Sequence, residues 1–176
     1  MGYAAALVLD EASAETISKL FEASGSRMLT LEAPPHVSLA VFEQVDTSRL
    51  IDVIGTLAGR VQSLRICFAS IGIFPGGENV VFLAPVVTDA LLKLHADLHD
   101  LLVKAGLESD PYYLPGAWVP HCTITMQEAL LSTLETIQTI HAAEVMGEYW
   151  ISEIQVIEFE PVKSLASFRL AWKATG

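Results

Sequence analysis

Cysteine is scarce in this chain, with only two among its 176 residues. Cys67 and Cys122 each lie in an apolar stretch with the pattern of a strand. This pair predicts neither a disulfide framework nor a cysteine-rich zinc site. We therefore expect two buried free thiols in a protein from a reducing compartment.

Positive charge is also scarce, because 10 lysines and arginines face 21 aspartates and glutamates, for a net charge of −11. A protein that grips long duplex nucleic acid through its phosphates needs clustered basic residues to displace counterions. The composition excludes that class of partner. A small phosphorylated nucleotide or a short RNA end stays possible, since a few local donors are enough to bind it.

Long apolar runs are absent, and none approaches the ~20 residues that span a bilayer. The first apolar run lacks a basic leader and reaches Asp10 and Glu11 too early for a signal peptide. We expect a cytoplasmic protein with no membrane partner, and a monomer. With 52% hydrophobic and 18% charged residues, residues 1–176 are expected to form one globular domain.

The order strand, helix, proline, histidine-containing strand, helix, strand occurs twice, and the approximate repeat covers 1–75 and 79–176. Hydrophobic periodicity and turn residues predict these elements. The predicted strands are 3–9, 36–42, 63–73, 80–84, 121–126, 149–159 and 168–172. The predicted helices are 12–23, 47–60, 88–105 and 128–143. The repeat predicts a bilobal α/β (α+β) fold with pseudo-two-fold symmetry, in which each lobe is a mainly antiparallel sheet with helices on its outer face, around a central cleft.

Two matching tetrapeptides, each preceded by proline, occupy the starts of the histidine-containing strands: 36–39 reads His-Val-Ser-Leu, and 121–124 reads His-Cys-Thr-Ile. Side chains alternate between the two faces of a strand. The expected polar faces carry His36 and Ser38 in one strand and His121, Thr123 and Thr125 in the other. The expected apolar faces carry Val37, Leu39 and Val41, and Cys122, Ile124 and Met126.

Two such polar faces across one cleft supply the groups that break a phosphodiester without a metal. Histidine has an ordinary pKa of about 6.5, so one ring can be neutral and accept a proton while the other is charged and donates one. The hydroxyls of Ser38 and Thr123 can donate to the phosphoryl oxygens. A near-symmetric pair leaves open which histidine is the base, and no cofactor or metal is expected.

Paired His-x-Ser/Thr motifs of this kind resemble the two-histidine phosphoesterase superfamily, which includes 2'-5' RNA ligase-like proteins and cyclic nucleotide phosphodiesterases. The resemblance extends to the run 74–83 and to Trp118-Val119-Pro120 before the second motif. It implies a bilobal fold, and hydrolysis or reversible ligation of 2',5' or 2',3'-cyclic phosphate linkages. It places His36, Ser38, His121 and Thr123 in the motif positions. The alternative is that both histidines are structural residues, hydrogen-bonded at strand starts.

Other histidines are weaker candidates. His95 and His99 are four residues apart on a predicted helix, a spacing that can bind a metal. No third ligand is evident, so we expect an exposed helix surface there. His141, near a helix end, is expected at the surface.

The substrate-binding candidates surround the second motif. An aromatic loop with Tyr112, Tyr113 and Trp118 is predicted to stack a nucleobase at the cleft mouth, with plain loop packing as the alternative. Thr125 shares the predicted polar face, and Arg27 is a candidate phosphate clamp, with solvent exposure as its alternative. Three further cations, Lys163, Arg169 and Lys173, have no predicted direction.

The leading hypothesis is a metal-independent hydrolase that acts on 2',3'-cyclic phosphate or 2',5'-linked phosphodiesters of nucleotides or short RNA, as in RNA processing. The alternatives are a catalytically silent module that binds a nucleotide or RNA end, and a 2'-5' RNA ligase. The scarcity of positive charge disfavours the ligase.

Overall fold

A computed structural model describes residues 2–24, 34–76, 79–127, 129–159 and 162–172. Within these residues the chain forms seven strands, four helices and one 3-10 turn. The strands are β1 (Gly2–Leu9), β2 (His36–Phe42), β3 (Leu64–Phe74), β4 (Asn79–Pro85), β5 (Cys122–Gln127), β6 (Gly147–Phe159) and β7 (Lys163–Arg169). The helices are α1 (Glu11–Ala23), α2 (Thr47–Ala58), α3 (Asp89–Ala105) and α4 (Leu130–Ala142), and the turn is Pro111–Tyr113. The predicted mixture of helices and strands is confirmed.

Three of the four helices begin at a residue whose side chain caps the first turn. Asp10, Asp46 and Thr88 accept hydrogen bonds from backbone amides that have no partner inside α1, α2 and α3. Helix α3 ends at Gly106, whose φ of 68° is a left-handed conformation that favours glycine. These local signals explain why the helix positions were predictable from sequence.

The strands form one sheet in the order β2-β1-β6-β3-β4-β5, and β7 pairs with β6. All six pairings between named strands are antiparallel. At each end of this order lies a strand that contains a His-x-Ser/Thr motif, β2 or β5. Each of these two strands pairs with one short apolar strand, β1 or β4. The antiparallel sheet is confirmed, while the two-fold relation between the halves stays a prediction.

Strands from the first half of the sequence pair with strands from the second half. β6, from the second half, pairs with β1 over most of its length, and β3, from the first half, pairs with β4. β6 also pairs with β3 through its first residues. The two halves of the sequence therefore share one continuous sheet, which the order of elements along the chain did not reveal.

One predicted strand is misplaced. We expected the last strand at 168–172, and β7 instead spans Lys163–Arg169. β7 lies at the sheet edge, where most of its side chains are exposed or half-buried. Polar residues therefore interrupt its apolar pattern, and the pattern does not mark its start.

The helices and the main apolar core lie on one face of the sheet. That core takes side chains from every strand, including Leu7, Val37, Leu83 and Ile154. Residues that alternate with these, among them His36, Ser38 and Thr123, point from the opposite face, which we call the motif face. Among the described residues, no helix is both long and apolar enough to cross a membrane.

Candidate active site

The motif strands β2 and β5 contact each other although they lie at opposite ends of the hydrogen-bonded order. The backbone of His36 lies close enough to the Cys122 thiol to act on the pKa of that thiol, and Trp118 Nε1 donates to the Ser38 carbonyl at 3.0 Å. The sheet thus curls until both motifs lie side by side. Burial raises the pKa of Cys122 to about 12, so its thiol stays protonated and is not a nucleophile. Both cysteines are free as expected, although Cys67 is only half-buried.

Both motif histidines make the same local contact. His36 Nδ1 lies 2.8 Å from the carbonyl oxygen of Pro34, and His121 Nδ1 lies 2.7 Å from that of Val119. A carbonyl oxygen only accepts, so each Nδ1 carries the hydrogen and donates it. In a neutral ring the lone pair is then on Nε2, the nitrogen left for a reacting group.

The two rings are close enough to influence each other electrostatically. Burial lowers the pKa of His36, and the positive charge of a protonated His121 lowers it further. Burial also lowers the pKa of His121. The hydrogen bonds to the carbonyls of Pro34 and Val119 act in the opposite direction. Because a charge on one ring disfavours a charge on the other, the pair resists holding two protons at once.

The motif hydroxyls share a strand face with the rings and make no hydrogen bonds within the part of the chain that the structure describes. Ser38 is buried and Thr123 half-buried. In the sheet, Ser38 lies opposite Ala6 and Thr123 lies opposite Phe82. Both hydroxyls are therefore available to donate to an anion placed between the rings.

A β-bulge follows the hydroxyl residue in both motif strands. The register of paired residues steps from Ser38 to Ala40 in β2 and skips Leu39, and it steps from Thr123 to Thr125 in β5 and skips Ile124. A bulge resets the alternation of side chains and commonly lies next to an active site. The two motifs thus share a backbone irregularity as well as residue types.

These bulges correct three predictions about side-chain direction. Thr125, expected beside His121 on the polar face, has only 1% of its surface exposed. Met126, expected in the core, is 48% exposed, and Val41 is half-buried between the buried residues Ala40 and Phe42. Strict alternation fails beyond each bulge because the extra residue turns the following side chains over. Thr125 is closed to a ligand.

An aromatic wall surrounds His121. The ring of Phe74 meets it edge to face at a centroid distance of 4.9 Å, and the ring of Phe82 lies at 5.3 Å. Tyr113 lies at 6.4 Å. Gly72 pairs with Phe82 across β3 and β4, and a Cβ on Gly72 would meet the Phe82 ring at 2.2 Å. Nothing in the local pattern around Gly72 indicated this role.

The predicted substrate-binding residues divide into distinct groups. Tyr113 lies near His121, whereas Tyr112 is 81% exposed. Trp118 has an internal role, since it binds the Ser38 carbonyl and stacks on His95 at 4.0 Å with an interplanar angle of 1°. Arg27 lies outside the described residues.

The histidines of α3 are buried, so the prediction of an exposed surface was wrong. His95 is 2% exposed and its Nε2 lies 2.9 Å from the Tyr113 carbonyl; His99 is 6% exposed and its Nε2 lies 3.3 Å from the Leu39 carbonyl. The carbonyl of the bulged residue thus gains a partner from α3. Both histidines fall on the leucine-rich stripe of α3, which was a usable signal of burial. The described residues contain no cluster of three groups suited to a metal ion.

The predicted cations near the C-terminal strands form ion pairs. Lys163 Nζ lies 2.7 Å from Glu158, and Arg169 Nε lies 3.5 Å from Glu153. Lys173 lies outside the described residues.

A protein-family model described as the 2'-5' RNA ligase superfamily matches residues 9–162, which include both motif strands. The chain belongs to this superfamily. No curated protein matches it in sequence.

Several solved structures share the fold of this chain. A crystal structure of a phosphoesterase has a TM-score of 0.62 and 17% identity, with 96% of this chain and 97% of that chain covered. Escherichia coli LigT in its apo form gives 0.59 and 17%, with 97% of both chains covered. LigT complexed with 3'-AMP gives 0.58 and 16%, with 96% and 97% covered.

Proposed function

We propose that this member of the 2'-5' RNA ligase superfamily is a metal-independent phosphodiesterase. Its substrates are 2',3'-cyclic phosphate or 2',5'-linked phosphodiesters of nucleotides or short RNA. The observation that carries the proposal is the matched pair of histidines, each donating from Nδ1 to the carbonyl two residues earlier. This contact fixes both rings with Nε2 as the reactive nitrogen.

In the proposed reaction, one neutral ring accepts a proton at Nε2 from a water molecule as the water oxygen bonds to phosphorus. The other ring is protonated and donates its Nε2 proton to the ribose oxygen whose bond to phosphorus breaks. Ser38 and Thr123 donate to the non-bridging oxygens, where negative charge accumulates. The product is a ribose phosphate monoester, and no covalent enzyme intermediate is needed.

A small ligand suits both the charge and the known neighbours. Solved structures of LigT are complexed with 3'-AMP, NADP+ and ATP, all small nucleotides. The chain itself carries a net charge of −11, which opposes binding of a long polyanion. The two hydroxyls and two imidazoles supply enough local donors for one phosphate group.

The test is a panel of nucleoside 2',3'-cyclic phosphates and 2',5'-dinucleotides assayed with His36→Ala, His121→Ala and a control. His141→Ala is the control, because His141 is an exposed residue in the last turn of α4. We expect each motif variant to lose at least about 100-fold in kcat/KM, and His141→Ala and chelators to have no effect. Turnover that survives both motif substitutions would refute the proposal. Nucleotide binding without turnover would instead indicate a binding module, and salt-sensitive joining of RNA halves a ligase.

A further inference from the structure

The motif face extends from the first motif across three more strands. Strand pairing aligns Ser38 with Ala6, Ala6 with Gln155, and Gln155 with Ser167. A neighbouring row aligns His36, Val8, Glu153 and Arg169 in the same way. Residues paired across antiparallel strands lie on the same face. Gln155 and Glu153 therefore share the face of the first histidine and serine.

Glu153 organises the polar end of these rows. Its carboxylate accepts hydrogen bonds from Ser167 Oγ at 2.5 Å and from Gln155 Nε2 at 3.0 Å, and it pairs with Arg169. The hydrogen bonds from Ser167 and Gln155 are the main reasons that the pKa of Glu153 is lowered, so the carboxylate stays ionised. An ionised carboxylate only accepts, and it therefore fixes which end of the Gln155 amide faces it.

The other end of that amide has no partner. Gln155 is only 9% exposed, and among the described residues no donor reaches its Oε1, which is buried. A buried acceptor without a donor costs about 1 to 3 kcal/mol. Side chains kept at such a cost are commonly ones whose partner is a ligand. Two strand spacings of about 4.8 Å put the Gln155 backbone about 10 Å from that of Ser38, within the reach of a nucleoside whose phosphate lies at the motifs.

We propose that Gln155 selects the nucleoside attached to the reacting phosphate, by accepting a hydrogen bond at Oε1 from a base N–H or a ribose O–H. This inference rests on the function proposed above and goes beyond it, because it names a specificity residue outside both motifs. Ala6, the only residue between Ser38 and Gln155 in the row, has a side chain too short to separate them.

Uridine 2',3'-cyclic phosphate is a suitable probe because it has only two donors, the base N3–H and the 5'-hydroxyl. The experiment compares its kcat/KM with those of the N3-methyl and 5'-O-methyl analogues, for the wild type and for Gln155→Met. We expect one analogue to lose about 10- to 100-fold with the wild type, since it leaves the acceptor unpaired. The analogue that loses activity identifies the donor. In Gln155→Met that difference should disappear.

Ser167→Ala is the matched control, because it removes another partner of Glu153 and leaves the Gln155 acceptor in place. It should keep the discrimination between analogues. Thermal unfolding of Gln155→Met tests folding separately, and we expect little change because loss of the hydrogen bond to Glu153 is offset by removal of an unpaired acceptor.

The outcomes separate the two proposals. If the wild type hydrolyses all three compounds alike, or if Gln155→Met discriminates as well as the wild type, the selectivity inference is wrong and the proposed function stands. If the wild type hydrolyses no cyclic phosphate or 2',5'-dinucleotide, both are wrong.

Discussion

The two motif regions have the same backbone geometry and different surroundings. Each has a histidine that donates to the carbonyl two residues earlier, a hydroxyl two residues later, and a bulge directly after that hydroxyl. Beside His36 and Ser38, the motif face passes over the small apolar residues Val8 and Ala6 and reaches the polar residues Glu153 and Gln155. Around His121 it is aromatic, built from Phe74 and Phe82.

The shared geometry indicates what the proposed proton transfer requires, and the different surroundings indicate what binding of the ligand requires. Proton transfer needs the same ring orientation twice, and both motifs provide it. A nucleoside phosphate is itself asymmetric, with a polar sugar and base on one side of phosphorus. Different neighbours allow a near-symmetric catalytic pair to bind such a ligand in one direction.

The aromatic wall is the feature whose disruption should have the largest effect. In Gly72→Ala the new Cβ would meet the Phe82 ring at 2.2 Å, so the ring must move away from His121. We expect kcat/KM to fall by about 10- to 100-fold and the free energy of unfolding to fall by about 1 to 3 kcal/mol. Steady-state kinetics and urea unfolding check this.

Gly59→Ala is the matched control. Gly59 has an ordinary helical φ of −65°, and its added Cβ would meet only two backbone oxygens, at 3.5 and 3.8 Å. Activity should be unchanged in this variant. Equal kinetics for the wild type and Gly72→Ala would show that Phe82 does not position His121.

Trp118 supports the first motif as Phe82 supports the second, and its replacement should lower activity less than Gly72→Ala does. Trp118→Phe keeps an aromatic ring to stack on His95 and removes the donor to the Ser38 carbonyl. A carbonyl left without its partner costs about 1 to 3 kcal/mol when buried, and we expect kcat/KM to fall about tenfold as Ser38 shifts.

The control for this variant is Trp172→Phe, because Trp172 is largely exposed and its ring lies against that of Trp150 instead. It should leave kcat/KM unchanged. If Trp118→Phe is as active as the wild type, Trp118 does not hold the first motif in place.

Short-range patterns in the sequence predicted the helices, the strands and the strand faces that carry the motif residues. Features that depend on contacts between distant parts of the chain could not be predicted. His36 and Ser38 could be assigned to one face because alternation holds up to the bulge, and it failed at Thr125 because a bulge depends on how the neighbouring strand pairs. The contact between Gly72 and Phe82 joins two strands whose register is not readable from either one. The position of the Gln155 acceptor likewise depends on how four strands pair, so no local sequence pattern indicates it.

The stability that His95 contributes beneath the first motif should be sensitive to acid, and this distinguishes the first motif from the aromatic wall around His121. Burial, followed by the nearby His99, lowers the pKa of His95 to about 4 from an ordinary 6.5. Between these values the unfolded chain binds a proton that the folded chain does not, so acid favours unfolding. The contribution of His95 to stability is fully present above pH 6.5 and is lost as the pH falls towards 4. From pH 7.5 to pH 5 we expect a loss of about 2 kcal/mol from this residue.

Urea unfolding at both pH values, for the wild type and His95→Gln, measures that contribution. Glutamine cannot take up the proton, so the stability of this variant should fall by about 2 kcal/mol less over the same range. The variant starts from a lower stability at pH 7.5 because it no longer stacks on Trp118, and only the change with pH is compared. An unaltered pH dependence would mean that His95 does not titrate on unfolding. His95 would then not make the two motif regions respond differently to acid. The regions would differ only in the residues that each one places next to the ligand.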